Sequence, residues 1–267
     1  MFSLKGKSII VTGGTGILGN AFIQAISEQG ANLGILGRNK KVAEERAHDI
    51  NIKGGDAIPL IADVTNEEQL SSAHNEFLKK FGVIDGLVNA AGGNIPEAVV
   101  QPQQDIFSVD LNSVEKVMKL NLFGTMLPTQ VFGRTIAAKG GSIVNISSVS
   151  SVQALTRVLG YSLAKSAIDS YTRWMAVELA NRYQDTVRIN AIMPGFFLTE
   201  QNRTLLTNTD GTYTERGKLI RQNTPFKRMG DPKELNGALV WLLSDASKFV
   251  TGITVPVDGG FMAFSGV

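Results

Sequence analysis

The chain has 267 residues and no cysteine. That excludes a disulfide framework, a thiolate metal site and a cysteine nucleophile. Histidine is nearly as scarce: His48 and His74 are the only two, and both fall in polar, helix-patterned stretches. Both are read as surface residues, so neither a histidine-based metal site nor a Ser-His-Asp triad is expected. No uninterrupted apolar run reaches the ~18 residues that span a bilayer, and the opening MFSLKGK lacks the apolar core of a signal peptide. A net charge of +2 is too small to mark a nucleic-acid partner. What remains is the expectation of a cytoplasmic enzyme with a small-molecule partner and no metal, nucleic acid or membrane.

What is present is an alternation. Short β-branched runs occur at 8–13, 31–36, 56–63, 84–91, 141–147, 186–194 and 252–260, with helix-patterned stretches near 17–30, 39–52, 66–82, 113–139, 160–183 and 232–244. Several strands are almost wholly apolar, as when helices cover both faces of a parallel sheet. Short links between strand and helix imply right-handed βαβ units. The expected fold is therefore α/β, a doubly wound (Rossmann) seven-stranded parallel sheet flanked by helices, in a single domain over 1–267. The polar segment 196–231 breaks the alternation and is expected to form a lid over a ligand at the carboxyl edge of the sheet.

The first strand runs directly into TGGTGILG, where Gly14, Gly16 and Gly19 make G-x-G-x-x-G at the start of a helix. Glycines let a pyrophosphate approach the backbone, and the helix amino terminus presents N–H groups and a positive dipole end to it. The second strand ends in Gly37-Arg38-Asn39, with no carboxylate for a ribose 2′-hydroxyl. Gly37 leaves room and Arg38 can fork onto a 2′-phosphate, which favours NADP. An Arg38 that is solvated or stacked on adenine leaves NAD open.

The pentapeptide YSLAK places Tyr161 and Lys165 four residues apart. On a helix they share one face, and a nearby ammonium lowers a phenol's pKa from its usual ~10. Alone, this spacing can arise by chance.

Taken together these motifs resemble the short-chain dehydrogenase/reductase family over essentially the whole chain. The likeness runs through Thr12 to Gly19, Asp63-Val64, NAAG at Asn89 to Gly92, NLFG from Asn121, NISS ending at Ser148, YSLAK, Pro194-Gly195 and the terminal VDGG. One departure is visible: Gly16 comes a place early and Ile17 stands where the family usually has glycine, so a slightly different turn is expected. The resemblance implies a catalytic set of Asn121, Ser148, Tyr161 and Lys165, with Tyr161 as proton donor and acceptor. It implies that Lys165 holds the nicotinamide ribose, that Ser148 bonds the substrate oxygen, and that Asn121 supports a water chain. Ser148 as a turn cap and Asn121 as a kink residue are the plainer alternatives. Cofactor contacts are implied at Gly13, Thr15, Gly16, Ile17, Leu18 and Gly19; at Arg38, Asn39, Asp63 and Val64; at Ala90, Ala91 and Gly92; and at Pro194, Gly195, Phe197 and Thr199, besides Tyr161 and Lys165. Asn89 divides between cofactor contact and support of the sheet.

A narrower likeness, in 194–206, in Gly92 to Asn94 and in the carboxyl terminus, is to the branch that acts on sugar acids. It implies interconversion of a keto and a hydroxy sugar acid, with D-fructuronate/D-mannonate leading and 5-ketogluconate or an alginate-derived keto-deoxy-uronate as alternatives. Arg203 and Arg157 are candidates to clamp the carboxylate, unless they are solvated or in subunit contacts. Asn94, Gln153 and Asn202 are candidates to read hydroxyls beside Ser148. Apolar residues on more than one side of the 160–183 helix, among them Trp174 and Val177, imply a homodimer or homotetramer. A non-catalytic cofactor sensor on the same fold is the rival from another class.

Overall fold

The computed structural model describes residues 2–199, 203 and 205–266. The chain alternates as β1 (Ser8–Thr12), α1 (Ile17–Glu28), β2 (Asn32–Gly37), α2 (Lys40–Ile52), β3 (Asp56–Ile61), α3 (Glu67–Phe81) and β4 (Gly86–Asn89). It continues as α4 (Leu111–Met118), α5 (Gly124–Lys139), β5 (Gly141–Ile146), α6 (Leu159–Tyr183), β6 (Val187–Pro194), α7 (Glu215–Asn223), α8 (Asn236–Leu243) and β7 (Thr254–Val257). All seven strands pair in parallel in the order β3-β2-β1-β4-β5-β6-β7. The winding reverses between β1 and β4, which opens a crevice beyond the carboxyl ends of those strands, where ligands bind in such sheets.

Strand alternation sorts the core into two layers. Ile9 and Val11 point to one face and pack with Phe22, Ile26, Leu239 and Leu243. Ile10, between them, points to the other and packs with Phe77, Phe132 and Ile136. Each fully buried aliphatic side chain contributes roughly 1.5–3 kcal/mol of transfer free energy. Among the described residues no helix is long and apolar enough to cross a membrane.

Three local features differ from the sequence expectation. The stretch 113–139 is not one helix: a π turn at Lys119–Phe123 separates α4 from α5. Its cause is Asn121, whose Nδ2 donates to Val117 O at 2.8 Å, while Thr125 Oγ1 donates to Asn121 O at 2.9 Å. The segment 196–231 contains a helix, α7, capped by the Thr214 side chain accepting from Gly217 N. With only Gly217 and Ile220 buried, ERGKLIRQN carries too little apolar periodicity to read as a helix. His74 is half-buried, not superficial. Its Nε2 lies 2.7 Å from Thr135 Oγ1 because α3 packs across α5.

Candidate active site

At the end of β1 the backbone turns through Gly13, with φ +65°. A Cβ on Gly13 would stand 2.7 Å from Ala90 O and Ala91 N, and one on Gly19 would collide with the Gly13 carbonyl oxygen. Only glycine lets α1 and the 90–91 turn close on this loop. Thr12 Oγ1 accepts from Ala90 N and Ala91 N at 3.1 Å each, tying the two loops together. Gly16 is the amino cap of α1 and no side chain caps it. The first-turn N–H groups, beginning at Ile17 and Leu18, thus form an open positive helix end. Arg46, on α2, donates to Gly14 O and to Gly16 O, the latter at 2.9 Å. It occupies the loop's carbonyls, so that the open first-turn N–H groups of α1 face an incoming anion. Early Gly16 and Ile17 do not spoil this cradle: a Cβ on Gly16 would meet only Gly13 O, at 3.3 Å. An uncapped helix end, glycines at every close approach and a cleft continuing from it fit the pyrophosphate of a dinucleotide.

The far end of the cradle carries Arg38, Asn39, Asp63 and Val64. The Arg38 side chain is 74% exposed and lies 3.7 Å from Asp63 Oδ2. Burial raises the Asp63 pKa, but hydrogen bonds from Thr65 N and Oγ1 and the Arg38 charge outweigh it and hold the carboxyl below its ordinary value. Asn39 caps α2 by accepting from Val42 N. The space that Gly37 leaves is filled by Thr15, whose Oγ1 would lie 2.6 Å from a Cβ there. That glycine therefore serves the packing of the turn, not room for a 2′-phosphate.

The four residues of the catalytic resemblance gather where this cleft meets β5 and α6. Tyr161, Lys165, Ser148, Gly92, Pro194, Gly195 and Thr199 line it together, as do Leu18, Ala90 and Phe197. Lys165 is 4% exposed, and its Nζ donates to Ile146 O at 2.7 Å. The same Nζ stands 5.4 Å from the Tyr161 ring centroid. Desolvation pulls the Lys165 pKa down to about 8 against the opposing charge of Asp169 one turn away. Desolvation likewise pushes the Tyr161 phenol above 10, while Ser148 pulls it partly back. The expected depression of the phenol by Lys165 does not prevail, because burying a phenolate costs more than its neighbours return. Ser148 Oγ also accepts from Ser150 N at 3.2 Å, so it caps a short turn as well as facing the phenol. Asn121 is fully buried; its Oδ1 accepts from Gly93 N at 3.0 Å and its Nδ2 donates to Gly93 O at 2.7 Å. It grips the loop that forms the cleft floor.

Asn89 sits behind the site. Its Nδ2 donates to Asn145 Oδ1 and Thr129 Oγ1, both at 2.9 Å, and Asn145 Nδ2 donates on to Thr172 Oγ1. The ladder follows the register Thr12↔Asn89↔Asn145 across β1, β4 and β5, so these bonds brace the sheet.

The residues nominated for substrate are dispersed. Asn94 lines the cleft and is half-buried; neither its Nδ2 nor its Oδ1 has a hydrogen-bond partner. Gln153 is exposed and lies outside the lining. Arg157 takes a left-handed φ of +75° and spends Nε on Val100 O and Nη2 on Gln101 Oε1. Arg203 is exposed, and Asn202 lies outside the described residues. Two residues were not legible in the sequence. Arg46 holds the glycine loop, and Arg216, on α7, lines the cleft beside Ser148 and Tyr161. Thr214 followed by Glu215 is a helix-start signal that could have drawn attention to the second.

The family described as enoyl-(acyl carrier protein) reductase matches residues 15–262. An uncharacterised oxidoreductase of Bacillus subtilis (strain 168), UxuB, is 42% identical over 99% of this chain and 98% of its own. The 5-keto-D-gluconate 5-reductase of Escherichia coli (strain K12) is 31% identical over 98% of each chain. Among solved structures, a candidate D-mannonate oxidoreductase from Haemophilus influenzae with bound NAD superposes with a TM-score of 0.91 at 38% identity, covering 99% of this chain and 98% of that one. A gluconate 5-dehydrogenase from Burkholderia cenocepacia J2315, in complex with NADP and tartrate, gives 0.86 at 32% identity, with 98% and 97% covered. Likeness of this depth along the full length, at a site built as described, makes the chain a member of the short-chain dehydrogenase/reductase family and an NAD(P)-dependent oxidoreductase.

Proposed function

We propose that this protein interconverts a keto sugar acid and the matching hydroxy acid, with D-fructuronate and D-mannonate as the pair and NADP as the preferred cofactor. The observation that carries the substrate class is Asn94. A half-buried carboxamide with both polar atoms unpartnered costs on the order of 1–3 kcal/mol per unmet group. In the cleft of Ser148 and Tyr161 it suits a ligand rich in hydroxyls and does not suit an acyl chain. The candidate D-mannonate oxidoreductase fold supports the particular pair. The 5-keto-D-gluconate 5-reductase favours 5-ketogluconate as the second reading.

The bound dinucleotide supplies a hydride in one direction and accepts it in the other. Tyr161 Oη donates its proton to the substrate carbonyl oxygen, and Ser148 Oγ donates a hydrogen bond to the same oxygen and steadies its growing charge. A phenol held protonated by burial suits reduction of the keto acid at neutral pH. Lys165, anchored on Ile146 O, places positive charge under the phenol ring while it remains protonated. Asn121 sets the Gly93 backbone, beside which a nicotinamide ribose would be held. Beyond β6, Leu205, Leu206 and Arg216 line the cleft, which supports a lid role for the segment they belong to. At the adenosine end, the absence of a carboxylate after β2 and the exposed Arg38 favour a 2′-phosphate. The NAD held by the Haemophilus protein is the reason to test NADH beside NADPH. On the outer face of α6, Trp174 and Val177 are each 61% exposed, which supports a homodimer or homotetramer.

The test is NADPH and NADH oxidation, followed by absorbance, with D-fructuronate, 5-ketogluconate and a keto-deoxy-uronate in parallel. Turnover of the first above the others is the expected result. Turnover of none removes the sugar-acid reading.

A further inference from the structure

We propose that Arg216 anchors the carboxylate of the substrate and thereby sets the preference for acids over neutral ketoses; this rests on the sugar-acid reading above. Arg216 stands in the first turn of α7 and reaches across to the 153–158 loop. Its Nη1 donates to Thr156 Oγ1 at 3.0 Å and its Nη2 to Thr156 O at 3.1 Å. A guanidinium has five N–H donors in a planar fork, so three remain after these bonds. Among the described residues Arg216 and Lys165 are the only cationic side chains lining the cleft that also holds Ser148 and Tyr161. Lys165 is already engaged with Ile146 O.

The charge around Arg216 is unbalanced. Among the described residues no carboxylate lies within 4.0 Å of Arg216 or of Arg157. Arg157 follows Thr156 directly, so two guanidinium groups converge on one loop. Burial first, and the Arg157 charge second, lower the Arg216 pKa. A half-buried cation facing a second cation is stabilised by an anion arriving from the cleft, and a carboxylate matches the fork in two parallel bonds. Arg157, bound to Val100 O and Gln101 Oε1, is less suited to the task because it lies outside the lining. Thr156 does the orienting: it accepts from Nη1 and Nη2 and so sets the plane of the fork. Asn94, on the opposite loop from β4, is left to meet hydroxyls along the sugar chain.

The experiment compares wild type, Arg216→Met and Arg216→Lys on D-fructuronate and on D-fructose, the same ketose chain with a hydroxymethyl group in place of the carboxylate. For Arg216→Met the ratio of kcat/KM for the acid to that for the neutral sugar should fall about 10- to 100-fold, the range of a charge-assisted pair. The loss should fall mainly on KM. Arg216→Lys, which keeps the charge without the fork, should recover part of it. An unchanged ratio in Arg216→Met, with wild type preferring the acid, overturns the role of Arg216 and leaves the sugar-acid function standing. If wild type reduces no sugar acid at all, that function fails by itself. Calorimetric titration of the NADP complex with tartrate then decides for Arg216: equal heats in wild type and Arg216→Met, or no binding to either, overturn the anchor. Binding confined to wild type upholds it as a carboxylate site.

Discussion

The buried Lys165 should weaken the apo protein below pH 8, and Lys165→Met should reveal it. Its ammonium, 4% exposed, has a pKa of about 8 where a free lysine has 10.5. Each whole step of pKa is worth about 1.36 kcal/mol, so the charged form costs the folded state about 3 kcal/mol near pH 7. The sign follows from proton binding. Between pH 8 and 10.5 the unfolded chain holds more protons at this site than the folded one, so stability from this group rises with pH. Between pH 7 and 9.5 the recovery is about 2 kcal/mol. Methionine has similar length and no charge, so it lacks this dependence. It also gives up the bond to Ile146 O, roughly 1 kcal/mol, and the attraction to Asp169, whose carboxylate accepts from Ser151 Oγ at 2.5 Å. The first loss shifts the absolute gap and hardly varies over this range, while the second exists only when the ammonium is charged and is already contained in the pKa of about 8. The assay is urea unfolding of cofactor-free wild type and Lys165→Met at pH 7 and pH 9.5. The difference in unfolding free energy should move in favour of wild type by about 2 kcal/mol as pH rises. A gap that stays constant would mean that desolvation of the ammonium does not govern this site, and the reasoning behind the raised Tyr161 pKa would fall with it.

Other outcomes are as definite. Tyr161→Phe keeps the ring over Lys165 Nζ but removes the proton donor, so kcat should drop about 100- to 10,000-fold with NADPH affinity nearly intact; stopped-flow turnover with more than a tenth of wild-type rate would contradict the assignment. Arg38→Ala removes the exposed guanidinium beside Asp63 and should raise KM for NADPH about 10- to 100-fold while leaving NADH kinetics almost unchanged; equal effects on the two cofactors would remove the 2′-phosphate contact. Trp174→Glu places a charge on the exposed α6 face and should convert the assembly to smaller species in light scattering behind size exclusion. An unaltered mass would move the subunit contact elsewhere.

Much of this molecule was legible in one dimension. The seven strands, the parallel winding and the glycine cradle follow from nearly continuous apolar runs, amphipathic links and turn chemistry, all of which act over a few residues. Asn121, Ser148, Tyr161 and Lys165 also stood out in the sequence; the last three line one cleft, and Asn121 holds its floor from behind through Gly93. The tertiary structure decided what lies beyond local pattern. Whether the phenol is acidified or protected depends on how much water α6 and β5 exclude, and that pushes Tyr161 up, opposite to what the spacing of Tyr161 and Lys165 implies. Gly37 is empty for the sake of Thr15, 22 residues earlier in the chain. Arg216 meets Thr156 across 60 residues, through a helix too short and polar to show a period. Burial and long-range charge are sums over neighbours brought together only by folding, so no window of sequence contains them.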